Sequence, residues 1–364
     1  MEPPGVVIDN GSGFCRSGFA GSDRPKSVIK TMAVIPIFQA SKQDTLCLMC
    51  ESSSTLRTAI DKRQPISHGI ITDWDAMEIL WNHIFVCQLK IFPEDQPVLM
   101  TDSPSSPCTN REKLAEVFFE AFGVPALQVA NTALLTLCSY GLISGLVIES
   151  GAGVSSSAVI CQGELLKTAT YRLDIAGRSL TKYLTKLLQE ANNIPLKLEK
   201  KLVTRIKQSC CYVSLDLEKN LNFNKRTRLK LPDGEQLILG SERFICPEPI
   251  FRPEMLGNDS PGLHLLAMNS IQKVPVEFRT EVLSHIAFAG GSSMFPGFPE
   301  RIRHELMKIS LQDYHYRFLA SPERKTAAWA GGSIIASLSS SKPMMMTMKE
   351  YKEYGAFHVY EKFV

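Results

Sequence analysis

One pattern occurs twice in this chain, and it constrains the fold more than any other feature. Residues Val6–Gly13 read Val-Val-Ile-Asp-Asn-Gly-Ser-Gly, followed by the small-residue stretch Phe14–Ala20. Residues Leu146–Gly153 read Leu-Val-Ile-Glu-Ser-Gly-Ala-Gly, followed by Val154–Ile160. In each, an apolar strand ends on a carboxylate, turns through Gly-x-Gly and returns as a second strand. From Asp9 to Glu149 the copies lie 140 residues apart, far more than the roughly 20–50 residues of a solenoid repeat. The spacing implies two duplicated domains facing each other, each presenting one acidic, glycine-rich hairpin. A chain of 364 residues has room for two such domains.

Strands and helices alternate through the rest. Val6–Ile8, Val98–Asp102, Leu127–Ala130 and Leu146–Glu149 are short apolar runs bounded by turn residues, which read as strands. In Thr72–Lys90 the residues Met77, Leu80, Trp81, Ile84 and Phe85 recur at helical spacing, with Thr72-x-x-Asp75 as the expected capping box. Thr109–Phe122 repeats the arrangement, with Thr109-x-x-Glu112 at its start, Leu114, Val117 and Phe118 inward and Gly123 as the stop. Leu180, Tyr183, Leu184 and Leu187 do the same after Gly177, and Leu231–Gly234 reads as a hairpin turn between Leu229 and Leu237. The alternation predicts an α/β protein with parallel or mixed sheets.

The chemistry of the repeated turn follows from its residue types. Glycine permits positive φ and close approach of an anion, and successive N–H groups aimed into one concavity form a phosphate nest. A carboxylate at the strand end repels phosphate, so a cation must stand between them. Asp9 and Glu149 are candidates to hold a hydrated Mg²⁺ through its waters. Ser12 adds a hydroxyl and Arg16 a fixed positive charge. A single Asn10-Gly11 is also a common tight turn; it is the second copy that favours phosphate. A third glycine cluster, Ala289–Gly297, joins the strand Ile286–Ala289 to the helix Phe298–Met307 and suits either a planar ligand or close backbone packing.

Composition excludes several classes. Forty Lys and Arg against 37 Asp and Glu give a net charge of +3, too even for an obligate nucleic-acid binder or a polybasic membrane protein. No run approaches the ~20 apolar residues of a membrane span. The N-terminal residues have neither a basic n-region nor an apolar h-region, so the ten cysteines are expected to stay reduced, in the cytosol or nucleus. Cys47 and Cys50 form an isolated C-x-x-C without the further ligands zinc requires, and read as loop thiols.

Several segments together resemble the actin family: Asp9–Gly21, Pro65–Asp75, Asn110–Lys113, Arg172–Arg178, Leu231–Gly234, Pro322–Lys325 and Trp329–Ile334. The resemblance runs nearly end to end and is to a divergent actin-related protein. It implies the actin-like ATPase fold, shared with sugar kinases and the Hsp70 ATPase, with four subdomains around a nucleotide cleft. These would be 1–30 with 65–139 and 327–364, then 31–64, then 140–175 with 260–326, then 176–259. It implies ATP or ADP with Mg²⁺ as cofactor. Ser12, Gly13 and Arg16 match the first phosphate loop, where the family usually has Lys at Arg16. Glu149, Gly151, Gly153 and Val154 match the second. Gly177, Lys207, Gln208, Gly290, Gly291, Met294, Phe295 and Lys325 match the nucleoside site, Gln208 replacing a Glu.

The departures carry the functional expectation. The resemblance puts Thr132 at the family's water-positioning Gln, Ser156 at its second-loop His, Ala152 at its second-loop Asp and Glu149 at the first Asp of that loop. Hydrolysis needs a polarised water held in line, and loss of one positioning donor costs ~10²–10³-fold in rate. The implied reading is a nucleotide site without effective turnover. The stretch Ile35–Thr58 is shorter than the family's filament loop. Glu254 and Asp259 charge the Phe251–Ser260 segment that matches the apolar plug, where burying an unpaired carboxylate is costly. Self-polymerisation is therefore not expected. Ile334, Ile335 and Leu338, with Met344 nearby, match an apolar partner groove; equally, Ile334 and Leu338 at i and i+4 fit the inside of a helix. His68 matches a modifiable histidine of the family, or is a structural one.

The implied role is a non-catalytic structural or scaffolding subunit of a cytoskeletal assembly, partnered by other cytoskeletal or actin-related proteins. The departures resemble the actin-like proteins of male germ cells, built into the cytoskeleton around the sperm nucleus. Localisation is expected in the cytoplasm and cytoskeleton, with a nuclear or perinuclear site as an alternative. Two other roles stand beside it: a slow ATPase, and a nuclear actin-related subunit of a chromatin-remodelling complex.

Overall fold

A computed structural model describes residues 4–36, 60–192, 199–222, 226–230, 234, 236–309 and 314–363. Cys47 and Cys50, most of the shortened 35–58 stretch and residues 231–233 of the expected hairpin turn lie outside the described residues. The chain divides into two compact units. The first is Met1–Ser144, Ile160–Lys167 and Thr326–Val364; the second is Gly145–Val159 and Thr168–Lys325.

The first unit is built on a mixed sheet. Its strands are β1 (Val6–Asn10), β2 (Phe14–Phe19), β3 (Ser27–Lys30), β4 (Val98–Asp102) and β5 (Ala126–Asn131), in the order β5–β4–β1–β2–β3, with Met346–Thr347 beyond β5. β1 runs antiparallel to β2 and parallel to β4. Val6, Val7 and Ile8 are all fully buried because both faces of β1 are covered. Val6 and Ile8 point into one core with Trp81, Phe85 and Phe118, and Val7 points into another with Leu135 and Trp329.

Helices close both faces. Helix α1 (Trp74–His83) continues into a π-helical segment, Ile84–Leu89, and the periodic residues Met77, Leu80, Trp81, Ile84 and Phe85 are all buried. Its cap is Asp73 rather than Thr72: the Asp73 carboxylate accepts the Ala76 N–H at 3.0 Å, while the Thr72 hydroxyl donates to the Pro65 carbonyl. Helix α2 (Cys108–Glu116) begins one residue before Thr109, directly after Pro107 and without a side-chain cap. Gly123, at φ +64°, ends the segment as expected. On the other face, α3 (Thr132–Cys138) packs against the helix Ala327–Ser337. A Cβ on Gly331 would fall 1.7 Å from the Leu135 carbonyl oxygen, so only glycine allows that approach. Trp329, fully buried, donates its indole N–H to the Val7 carbonyl at 3.1 Å.

The second unit repeats the plan. Its strands β6 (Gly145–Ser150), β7 (Ser155–Cys161, whose last two residues fall in the first unit), β8 (Ile286–Ala289) and β9 (Phe318–Leu319) run in the order β7–β6–β8–β9. β6, β8 and β9 are parallel. Helix α4 (Gly177–Asn192) buries Leu180, Leu184 and Leu188 completely, whereas Tyr183 and Leu187 are only half-buried. Helices α5 (Lys200–Cys210) and α6 (Phe298–Ile309) complete the part that positions the candidate site. The expected hairpin flanks are paired, Leu229 opposite Leu237. No helix among the described residues is long and apolar enough to cross a membrane.

Candidate functional site

The two repeated turns are wired alike, each within its own unit. In the first, between β1 and β2, the Gly11 N–H donates to the Phe14 carbonyl at 3.2 Å; in the second, between β6 and β7, the Gly151 N–H donates to the Val154 carbonyl at 2.9 Å. The carbonyl of that same glycine accepts a distant hydroxyl in both: Thr31 donates to Gly11 at 2.6 Å, and Ser292 to Gly151 at 2.7 Å. The side chains that bridge the strands correspond as well. Cys15 Sγ lies 3.4 Å from Asn10 Oδ1, and Ser155 Oγ lies 2.8 Å from Ser150 Oγ.

Around this shared frame the chemistry differs. The register of β1 and β2 sets Asp9 directly opposite Arg16. Arg16 Nη1 is 2.7 Å from Asp9 Oδ2, and Thr101 donates its hydroxyl to Asp9 Oδ1 at 3.0 Å. Both oxygens of a carboxylate only 6% exposed are thus engaged. The Thr101 hydroxyl also accepts the Asn10 N–H, and Trp81 Nε1 donates to Asn10 Oδ1 at 3.2 Å. Ser12, buried, accepts the Gly69 N–H at 2.8 Å from the hairpin that carries the exposed His68. Burial beside Asp9 pushes the Cys15 thiol far above its ordinary pKa, which makes it an inert core thiol.

The second turn rests on backbone and hydroxyls. Gly151 accepts the Gly177 N–H at 3.1 Å, and Ala152 accepts the Arg178 N–H at 2.7 Å, so the first residues of α4 hold the turn by its carbonyls. Ser155 donates to the Ile175 carbonyl at 2.7 Å. Two further glycines fit beneath. A Cβ on Gly177 would meet Ser292 Oγ at 2.8 Å, and one on Gly290, at φ +87°, would meet the Ser150 carbonyl oxygen at 2.3 Å. Of the cluster 289–297, Gly290 is thus packed backbone to backbone on the second turn, whereas a Cβ on Gly291 would meet nothing within 4 Å and one on Gly297 would meet the Val213 carbonyl oxygen at 2.3 Å. Gly153 and Ser156 are buried; Glu149, Gly151, Ala152 and Val154 are half-buried.

The residues assigned to the nucleoside site are spread over the second unit. Lys207, 7% exposed, donates to the Gly177 carbonyl at 2.5 Å and to the Thr181 hydroxyl at 2.9 Å. Burial lowers its pKa, and it ties α5 to the first turn of α4. Its sequence neighbour Gln208 is exposed, as are Gly291 and Lys325; Met294 is half-buried and Phe295 buried. Arg324, next to Lys325, is buried and reaches both the hydroxyl and the carbonyl of Ser293. Thr132, in the first unit, opens α3 just after its cap Asn131.

A hydrated dication needs carboxylate oxygens that are free to face it. On the first turn each Asp9 oxygen already accepts one hydrogen bond and keeps a lone pair for a metal's waters; on the second, Glu149 is the half-buried carboxylate, while Ala152 adds no second one and Ser156 no imidazole. Among the described residues no three His, Cys, Asp or Glu side chains come together as a metal-binding group.

Family comparison matches Actin over residues 2–364. The chain belongs to the actin family. It is 39% identical to Actin-like protein 7A of Macaca fascicularis over 365 residues, which cover 98% of this chain and 83% of that protein. The human Actin-like protein 7A is 38% identical over the same share of each chain. At that distance the chain is a divergent actin-related protein with the actin-like ATPase fold, and members of this family bind nucleotide with a divalent metal.

Thr101, Thr31, Ser292, Ser150 and Ser155 are the site residues that motif reading missed. Thr101, Thr31 and Ser292 carry no local signal, because their partners lie 92, 20 and 141 positions away. Ser150 and Ser155 do carry one: aligning the two repeats places them on Asn10 and Cys15. The matched partner-groove residues resolve plainly. Ile334, Leu338 and Met344 are 44, 47 and 57% exposed, so the inward-packing alternative does not hold for the first two. Ile335 is the half-buried one and packs on the Val7–Trp329 core. Glu254 and Asp259 are both exposed.

Proposed function

We propose that this actin-related protein binds an adenine nucleotide without hydrolysing it effectively, and serves as a structural subunit of a cytoskeletal assembly. The observation that carries the reading is the contrast within the turns. Their leading glycines make the same two bonds, whereas the positions that the family resemblance gives to water-positioning groups hold Thr132, Ala152 and Ser156. A threonine is two atoms shorter than a glutamine, an alanine has no acceptor, and a buried serine is no imidazole. Each such loss lowers turnover by ~10²–10³-fold. Phosphate release measured beside a conventional actin, with ATP binding followed calorimetrically on the same sample, tests it. Binding with turnover at least about 100-fold slower is the expected result; comparable turnover refutes the pseudo-ATPase.

Poor self-assembly belongs to the same reading. Glu254 and Asp259 stand exposed on the segment matched to the filament plug, and an unpaired carboxylate resists burial. Sedimentation after addition of Mg-ATP and salt is expected to leave the protein in the supernatant. The exposed Ile334, Leu338 and Met344 supply an apolar patch for another cytoskeletal or actin-related protein. A male germ-cell setting around the sperm nucleus is the localisation proposed; a tagged chain found instead on chromatin would favour the nuclear alternative.

A further inference from the structure

Three aromatic rings of the first unit stand in solvent close together in the chain: Tyr354, Phe357 and Tyr360 are 57, 71 and 43% exposed. Rings of this size are usually buried, and a contiguous exposed apolar surface marks an interaction site. Their backbone is anchored. Val359 and Phe363 are buried in the core that holds Trp81 and Phe118, and the Phe363 carbonyl accepts Arg111 Nη1 from α2. Two tyrosines of the segment are also tied by their hydroxyls, Tyr360 to Glu112 of α2 and Tyr351 to Glu120 at 2.5 Å. The Tyr354 ring lies 4.9 Å from the His358 ring, and the Phe357 ring 6.4 Å from that of Tyr360. The exposure is that of a fixed ridge, not of a loose segment.

Carboxylates border the ridge. Glu112 and Glu120 hold Tyr360 and Tyr351, and Glu353 and Glu361 lie in the same segment, both exposed. Glu361 Oε2 is 3.2 Å from His358 Nδ1. Lys113 and Lys362 are paired with Glu116 and Glu350, each at 2.7 Å. That leaves Lys349 and Lys352 as the exposed cations of the helix Met348–Tyr354, so carboxylates are in excess around the rings. An apolar partner laid on the ridge would strip water from these carboxylates without pairing them, which is costly. A phosphate backbone or an anionic lipid surface would be repelled. A guanidinium or ammonium gains twice: the ring face is the negative side of the aromatic quadrupole, and a carboxylate beside it completes a charge-assisted bond.

We propose that Tyr354, Phe357 and Tyr360 form a docking ridge for an arginine- and lysine-rich segment of a partner protein, its cations lying on the ring faces and pairing with Glu112, Glu353 and Glu361. Each ring has only two χ angles to fix, so little freedom is lost when a segment lies down on it. The surface goes beyond the apolar patch of Ile334, Leu338 and Met344, and it does not depend on whether the chain holds nucleotide.

The test is fluorescence anisotropy of a labelled peptide of alternating arginine and serine, titrated with the full chain at low ionic strength, beside the same peptide with glutamine for arginine. The arginine peptide is expected to bind at least about tenfold more tightly. The double variant Tyr354→Ser with Phe357→Ser alters two exposed side chains, so its urea midpoint is expected to stay in place. It is expected to bind the arginine peptide at least about fivefold more weakly. Phe357→Leu keeps an apolar side chain and removes the ring face, and is expected to lose about two- to fivefold. Equal binding of the two peptides, or binding of neither, would overturn the proposal. So would a double variant, or Phe357→Leu, that binds the arginine peptide as the unaltered chain does. Phosphatidylserine vesicles and a single-stranded oligonucleotide are expected to leave the chain unbound; binding of either that the double variant abolishes would give the ridge to that ligand instead and overturn the basic partner.

Discussion

The first and second turns of this protein have the same backbone and different chemistry. In both, the leading glycine donates its N–H three residues ahead and accepts a remote hydroxyl on its carbonyl. Yet the first turn is organised by a buried ion pair, Asp9 with Arg16, and the second by hydroxyls, Ser150, Ser155 and Ser292. Duplication conserves what the fold needs for the chain to turn. It leaves free what the side chains do once the turn is made. That separation is why two turns can share one backbone bond pattern while their side chains differ.

The sharpest way to break the comparison is to remove the more tightly packed of the two glycines on which the second turn rests. Gly290→Ala forces an alanine to φ +87° and drives its Cβ to within 2.3 Å of the Ser150 carbonyl. Left-handed strain alone costs about 1–2 kcal/mol, and a backbone clash with no flexible atom to yield adds more. A loss of about 3 kcal/mol or more is expected, read as a fall in the urea midpoint. A near-neutral result would mean that the second turn floats free of the glycine cluster.

Next in size is the ion pair. Arg16→Ala leaves the buried Asp9 carboxylate with, among the described residues, the Thr101 hydroxyl as its side-chain donor. Breaking one side of a buried pair costs about 3–5 kcal/mol; with Asp9 partly able to reach water as the side chain is cut back, about 2–3 kcal/mol is expected. Asp9→Asn in the same background should restore most of the loss, because the charge, not the missing contact, carries the penalty. The corresponding substitution in the second turn, Ser156→Ala, removes no charge and is expected to shift the urea midpoint far less.

How much of this was legible beforehand depends on whether a feature was local. The strands Val98–Asp102 and Ile286–Ala289 have the bounds read from the sequence, and α1 buries the periodic residues expected of it. Each is fixed by neighbours in the chain. The caps were less legible. Thr72 and Asp73 are both good capping residues, and what decides between them is that Pro65 offers its carbonyl to the Thr72 hydroxyl, a contact across seven positions. At Thr109 the helix has already begun: Pro107, outside it with ψ 137°, is the N-cap and Cys108 the first helical residue. The repeat announced both turns from residue types alone. It did not announce that Arg16, read as a phosphate ligand, is bound first to Asp9, because that pairing appears only when β1 and β2 are laid side by side. Lys207 is a similar case: the resemblance points it toward a nucleoside, and two of its ammonium's three donors hold Gly177 and Thr181.

The smallest effects test whether the shared wiring is equivalent in energy as well as in form. Thr31→Val and Ser292→Ala each delete one hydroxyl from the carbonyl of the leading glycine, at 2.6 and 2.7 Å. Ser292 is buried and Thr31 nearly fully so, so neither carbonyl regains water easily, and an unmet buried acceptor costs about 1–3 kcal/mol. Gly11 and Gly151 are themselves only half-buried, so the lower end, about 1 kcal/mol, is expected for each. The Gly151 carbonyl keeps a second donor, the Gly177 N–H, so Ser292→Ala should be the milder of the two. Urea denaturation of both variants, followed by proteolysis to see which unit opens, reads out that order. Equal losses would mean the second donor contributes nothing. A larger loss at Ser292 would place the weight of the second turn on its hydroxyl, and the two turns would then be alike in geometry but not in what holds them.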